Sequence, residues 1–207
     1  MAQTRNTPTD ADLIRRSIAG SGDAYHDLVR RYERPVLTVI RRMVGDPQLA
    51  EDLAQEAFVK AFRNLRRYDP QRKFSSWLFK IAHNTTIDHL RRKRLDTVPL
   101  EATTADGTET WEVLEAPEDE GPERRFEQLE TREAIALALD RMSPRYREIL
   151  VLRFQQGLAY QEIADVTGLE MGTVKVQLHR ARKRLAAELG GLGLAPERFK
   201  MSEKKKA

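Results

Sequence analysis

The stretch LAYQEIADVTGLEMGTVKVQLHRARKRL, Leu158 to Leu185, decides how this chain folds. With Val174 at zero and ~100° per residue, Val174, Leu178, Ala181 and Leu185 fall in one narrow apolar arc, which predicts a buried face. Opposite them lie Gly172, Val176, His179, Arg180 and Lys183, with Thr173 and Lys175 on the flanks. Upstream, Tyr160, Ile163, Ala164 and Val166 predict a short helix that stops at a tight turn on Gly168, followed by Leu169. Helix, short glycine-containing turn, helix is the signature of a helix-turn-helix, whose second helix enters the DNA major groove N-terminal residues first. The chemistry of the open face agrees. Gly172 has no side chain, so backbone can approach a phosphate at the helix start, where the dipole favours an anion. Val176 suits a thymine methyl or sugar, and Arg180 can fork onto a base edge or phosphate. Lys175, Arg182, Lys183 and Arg184 supply phosphate contacts that position without specifying. A solvated surface helix would be as basic, but it would need neither the turn glycine nor the phased helix before it.

Working outward, helical pattern fills most of the chain. It resumes at about Glu123, pauses at Ser143-Pro144 (a cap plus a proline) and runs to about Leu189. On the N-terminal side it extends from Asp10 to about Leu95, broken at Met43-Val44-Gly45, where Asp46-Pro47 opens a new helix, and again at YDPQRKFSS, Tyr68 to Ser76. Between these parts lies Asp96 to Glu123, which holds ten of the 32 acidic residues and none of the 36 basic ones. Set against the net charge of +4, what remains outside it carries 36 basic and 22 acidic residues, or +14. With Pro99, Gly107, Pro117, Gly121 and Pro122 and no apolar periodicity, it reads as an extended or disordered linker. The reading is therefore all-α: a helical domain over 10–95, an acidic linker over 96–122, a helix-turn-helix domain over 123–189 and a loose basic tail over 190–207. Two basic parts joined by an acidic connector point to a polyanion partner.

The N-terminal helices divide in the same manner. With Leu49 as origin, Leu49, Ala50, Leu53, Ala54, Ala57, Phe58, Ala61, Phe62 and Leu65 occupy a wide apolar arc. The rest of the circumference carries Asp52, Gln55, Glu56, Val59 and Arg63, and a valine among acids and amides suits a protein partner better than DNA. In FSSWLFKIAHNTTIDHLRRKR, Leu78, Ile81, Ala82 and Thr85 face inward, with Phe74 and Phe79 as core anchors. Trp77, Lys80, Asn84, Ile87 and Arg91 form another stripe, with Trp77 at its border. An aromatic face beside cations and an amide is what an unstacked single strand needs. The loop Arg67 to Ser76 is basic and polar, and Ser75 and Ser76 can line a base pocket or cap the helix.

DPQLAEDLAQEAFVKAFRNL, FSSWLFKIAHNTTIDHLRRKR and SPRYREILVLRFQQGLAYQEIADVTGLEMGTVKVQLHRARKRL, in this order, resemble bacterial sigma factors of the extracytoplasmic-function group. The resemblance covers about Asp10 to Leu95 and Glu123 to Leu189. It implies two helical domains, sigma regions 2 and 4, in a protein that is not an enzyme but binds core RNA polymerase, directs it to a promoter and helps melt the DNA. Carried onto these positions, it implies that Asp52, Gln55, Glu56, Val59 and Arg63 dock on the clamp helices of the polymerase beta-prime subunit. Ser75, Ser76, Trp77, Lys80, Asn84 and Arg91 would hold the unpaired non-template strand of the minus-ten element. Gly172, Thr173, Lys175, Val176, Gln177, His179, Arg180 and Lys183 would meet the double-stranded minus-thirty-five element. The linker would thread toward the polymerase's RNA path, and an anti-sigma factor would restrain the protein.

A two-domain repressor would need an operator-binding dimer and no polymerase, and neither the Val59 nor the Trp77 stripe serves it. An enzyme lacks chemistry here. His26, His83, His89 and His179 show no metal-ligand spacing, no glycine-rich phosphate loop is present, and there are no cysteines for a disulfide, thiolate or redox site. No cofactor, metal or small-molecule substrate is expected. No apolar run approaches the roughly 18 residues of a membrane span, and MAQTRNTPTDADLIRR has no signal-type apolar core, so the expected location is the cytoplasm, without membrane contact.

Overall fold

The computed structural model describes residues 8–96 and 133–192. The expected acidic linker, the helix start near Glu123 and the basic tail beyond 192 lie outside the described residues. Within them all regular structure is helical. Helix α1 spans Asp10–Ile18, α2 Gly22–Val44, α3 Pro47–Asn64 and α4 Phe74–Asp96, with a short 3-10 turn at Leu65–Arg67. After the acidic segment, residues 133–140 are helical (α5), followed by α6, Pro144–Leu150, a π-helical turn over Val151–Gln155, α7, Tyr160–Thr167, and α8, Met171–Gly191.

Local chemistry sets the helix ends. Thr9 caps α1, and Ser21, a stop that periodicity did not reveal, caps α2 by accepting from the Ala24 N–H. Asp46 accepts from the Leu49 N–H with Pro47 in the first turn of α3, as its sequence requires. Gly45 closes α2 in the left-handed region at φ 77°. Helix α2 runs through Pro35, which forfeits one backbone hydrogen bond, yet Val36, Val39 and Ile40 around it are fully buried. Tertiary burial outweighs the local penalty. Ser143 starts α6 through its carbonyl, which accepts from Tyr146 and Arg147, and not through its side chain.

Helices α2, α3 and α4 pack on one another, with α1 laid on α2. Leu28, Val36, Ile40, Leu53, Ala57, Leu78 and Phe79 fill the space between them. In the second unit, α8 packs on α6 and α7 through Val174, Leu178, Ala181, Leu185 and Leu189, the spine read from the sequence plus one more turn. The two units also pack on each other, α2 against α6 and α4 against α7, where the sequence suggested bodies joined only by a linker.

The helix-turn-helix hinges on Gly168, at φ 70°, whose N–H donates to the Ala164 carbonyl at 2.9 Å. A Cβ there would meet no other atom within 4 Å, so the demand for glycine comes from the backbone alone. Gly168→Ala is therefore expected to cost about 1–2 kcal/mol of unfolding free energy. At Gly172, which is helical and equally open, alanine should instead stabilise by up to about 1 kcal/mol. Urea melts of the two variants check both signs.

Candidate nucleic-acid interface

Helix α8 presents a continuous open surface. Gly172, Lys175, Val176, His179, Arg180 and Lys183 are exposed, and Thr173 is half-buried. Val176 is 48% exposed, a large apolar side chain held in water opposite the buried spine, and Met171 at the helix start is 42% exposed. Gln177 departs from expectation. It is buried, and its Oε1 accepts from Arg145 Nε of α6 at 3.0 Å, so its amide is used inside the unit and is turned away from the open face. It lies one step off the edge of the apolar arc, where a wheel cannot tell a solvent flank from the side that meets a neighbouring helix.

Helix α4 offers two adjacent stripes. Lys80, Asn84 and Arg91 are exposed. Trp77 is half-buried, its ring 5.5 Å from Tyr68 and 5.6 Å from Phe74, and Phe74 in turn meets Tyr32 at 5.3 Å. This aromatic cluster fixes the indole while leaving part of it open. Asp69 shapes the loop before the helix by accepting from the Gln71 N–H at 2.9 Å. Ser75 is half-buried. Ser76 and Ile87 lie on the second stripe, together with His83, and turn toward the helix-turn-helix unit instead of open solvent.

On α3, Asp52, Gln55, Val59 and Arg63 are exposed, and Glu56 is half-buried with Lys60 at 2.7 Å. Ala50, Leu53, Ala54, Ala57, Ala61 and Leu65 are buried as read, but Phe62 is not. It is 51% exposed, packs its ring 4.6 Å from Tyr25 and stands beside Val59, itself 48% exposed. Its position at ~220° on the wheel, the far end of an arc too wide for one helix to bury, is the signal that could have shown it. The exposed stripe is thus more apolar than its sequence suggested.

Several polar ties join the two units. Lys73 Nζ and Ser76 Oγ reach Glu162 Oε1 at 3.0 and 3.3 Å, and Arg72 Nη1 lies 3.5 Å from Asp165 Oδ2. Glu162 uses its other oxygen, Oε2, to accept from the Ala159 N–H at 2.7 Å and so cap α7. Burial alone would raise the Glu162 carboxyl, but Ala159, Lys73 and Ser76 together hold it below the ordinary glutamate value. His83 Nδ1 and Glu148 Oε1 lie 2.5 Å apart with both side chains nearly buried. Arg42 of α2 reaches Asp140 at 3.1 Å, and burial pushes its guanidinium down to about 10 against the pull of that carboxylate. Among the described residues no group of histidines and carboxylates could hold a metal ion, and no helix is long and apolar enough to cross a membrane.

A helix-turn-helix with its reading face open, beside a bundle that displays an aromatic and cations on one helix and an apolar stripe on another, defines a DNA-binding protein with a protein partner. The family profiles agree, Sigma-70 region 2 matching residues 28–95 and Sigma-70, region 4, residues 132–185. The chain is 37% identical over 175 residues to the ECF RNA polymerase sigma factor SigW of Bacillus subtilis, covering 84% of this chain and 92% of that one. It is 36% identical over 179 residues to the RNA polymerase sigma-H factor of Pseudomonas aeruginosa, covering 85% and 91%. The structure of the sigma factor RpoE in complex with the anti-sigma factor NepR from Bartonella quintana shares the fold, with a TM-score of 0.59 at 20% identity over 80% of this chain and 96% of that chain. The chain belongs to the ECF RNA polymerase sigma factors. It binds core RNA polymerase and directs it to promoters for transcription initiation, and the family works by binding and not by catalysis.

Proposed function

We propose a division of labour among three surfaces of this sigma factor. Asp52, Gln55, Glu56, Val59 and Arg63 of α3, joined by Phe62, dock on the clamp helices of the polymerase beta-prime subunit. Ser75, Ser76, Trp77, Lys80, Asn84 and Arg91 hold the unpaired non-template strand of the minus-ten element. Gly172, Thr173, Lys175, Val176, His179, Arg180 and Lys183 meet the minus-thirty-five duplex, with Gln177 bracing α8 from behind. The observation that carries this reading is the chemistry of what each helix leaves exposed: apolar among acid and amide on α3, aromatic with cations on α4, basic around Val176 on α8. Each matches a different partner. Residues 10–95 form the polymerase- and minus-ten-binding domain, 123–189 the minus-thirty-five domain, and 96–122 the linker between them. The protein works in the cytoplasm, and an anti-sigma factor restrains it, a reading supported by the anti-sigma complex of the structural relative.

Run-off transcription tests the whole. Core polymerase with a broad promoter library should give specific starts only when this protein is added. A repressor would add none, and absence of starts across the library would count against the assignment.

A further inference from the structure

Trp77 is held from a helix that carries none of the assigned DNA contacts. Asp10, in the first turn of α1, spends both carboxylate oxygens on α2: Oδ1 accepts from Arg31 Nη1 and Oδ2 from the Tyr32 hydroxyl. Arg31 Nη2 also donates to the Pro8 carbonyl at 2.8 Å, so the entry to α1 is tied to α2 at two points. The Tyr32 ring, anchored by its oxygen, lies edge-on to Phe74 with 5.3 Å between centroids and 68° between planes. Phe74 is buried, opens α4 and stands 5.6 Å from Trp77. Tyr68 closes the other side, 5.5 Å from each of these two rings, and its own hydroxyl donates to the Arg72 carbonyl.

Ring contacts alone fix such a cluster loosely, because Tyr32, Tyr68 and Trp77 are only half-buried. A hydrogen bond to a carboxylate is directional and stronger than a neutral one, so it decides where the Tyr32 ring, and through it Phe74, can stand. Burial first, and the Asp10 carboxylate after it, raise the Tyr32 phenol well above the ordinary tyrosine range, so it remains a donor. An unstacked base gains from a flat face only where that face is held at one angle. We propose that Asp10 and Tyr32 are positioning residues for Trp77: the α1 carboxylate, acting through the Tyr32 phenol and the Phe74 ring, sets the angle at which the indole offers its open side to the unpaired strand. The proposal rests on the assignment of Trp77 to that strand.

The chain holds two tryptophans, Trp77 and Trp111, so Trp111→Phe leaves Trp77 as the sole reporter in the full-length protein. In that background Tyr32→Phe, which keeps the ring and drops the hydroxyl, should raise acrylamide quenching of Trp77 by about 1.5-fold or more and lower its anisotropy. Holoenzyme assembled with this variant should bind core polymerase and duplex promoter as the parent does. On a promoter recovered from the run-off library, its open complex should decay roughly threefold faster or more, the scale of one hydrogen bond to a charged group. Asp10→Ala should do the same and add little to Tyr32→Phe in the double variant. Asp10→Asn, which keeps an acceptor oxygen for the phenol, should recover most of the loss. Val39→Ala, a cavity in the core of the same bundle, should lower the melting temperature without moving the Trp77 signal. The proposal is overturned if Tyr32→Phe leaves quenching and open-complex lifetime at parent values. It is equally overturned if Asp10→Asn is as defective as Asp10→Ala, or if Val39→Ala reproduces both changes. Trp77→Ala separates the deeper failure: a parent-like open complex there would remove Trp77 from the strand, whereas a short-lived one beside a silent Tyr32→Phe sinks the positioning role alone.

Discussion

Val59→Asp is expected to weaken binding to core RNA polymerase by roughly 30-fold or more, the scale of an interface hot spot, with little change in the melting temperature. Val59 is 48% exposed, so it supplies little to the fold, and surface substitutions of that kind usually stay within about 0.5 kcal/mol. Its value lies in what a partner would cover. Val59 and Phe62 are the exposed large apolar side chains of α3, and they are flanked by Asp52, Gln55 and Arg63, an apolar centre with a polar rim. A carboxylate at the centre would have to be buried without a partner. Titration of labelled core polymerase with parent and variant gives the ratio directly. Equal affinities would remove α3 from the docking surface.

The second large effect concerns selection of the upstream element. Arg180→Ala should lose about 1–3 kcal/mol of discrimination between a preferred duplex and one altered at a single base pair, the worth of a good bidentate contact. Lys183→Ala should behave otherwise, weakening all duplexes alike and lowering the salt slope by about one. Both residues are exposed on α8 and neither has a structural task in the second unit's core. Competition binding at several salt concentrations separates the two patterns. If Arg180→Ala weakens every sequence equally, its guanidinium serves phosphate and the specificity of α8 resides elsewhere.

Much of this was legible in the sequence because helical period and helix-end chemistry are local. Val174, Leu178, Ala181 and Leu185 are buried as their spacing demands, Gly168 makes the turn, and Asp46-Pro47 opens α3. What escaped is tertiary. Gln177 and Phe62 both sit at the margins of an apolar arc, and which margin is covered depends on where Arg145 and Tyr25 arrive from. Ser76 looked open because nothing near it in sequence announces Glu162, 86 residues away. Long-range ion pairs between charged surfaces leave no periodic trace, so the contact between the two units could be seen only in three dimensions.

Glu162 divides its work between its two oxygens, one turned inward to the start of its own helix and one turned outward to the neighbouring unit. The cap of α7 therefore does not draw on the oxygen that meets Lys73. The first turn of α7 is thus already ordered before the helix-turn-helix unit meets a duplex, its entropy spent during folding instead of at the promoter.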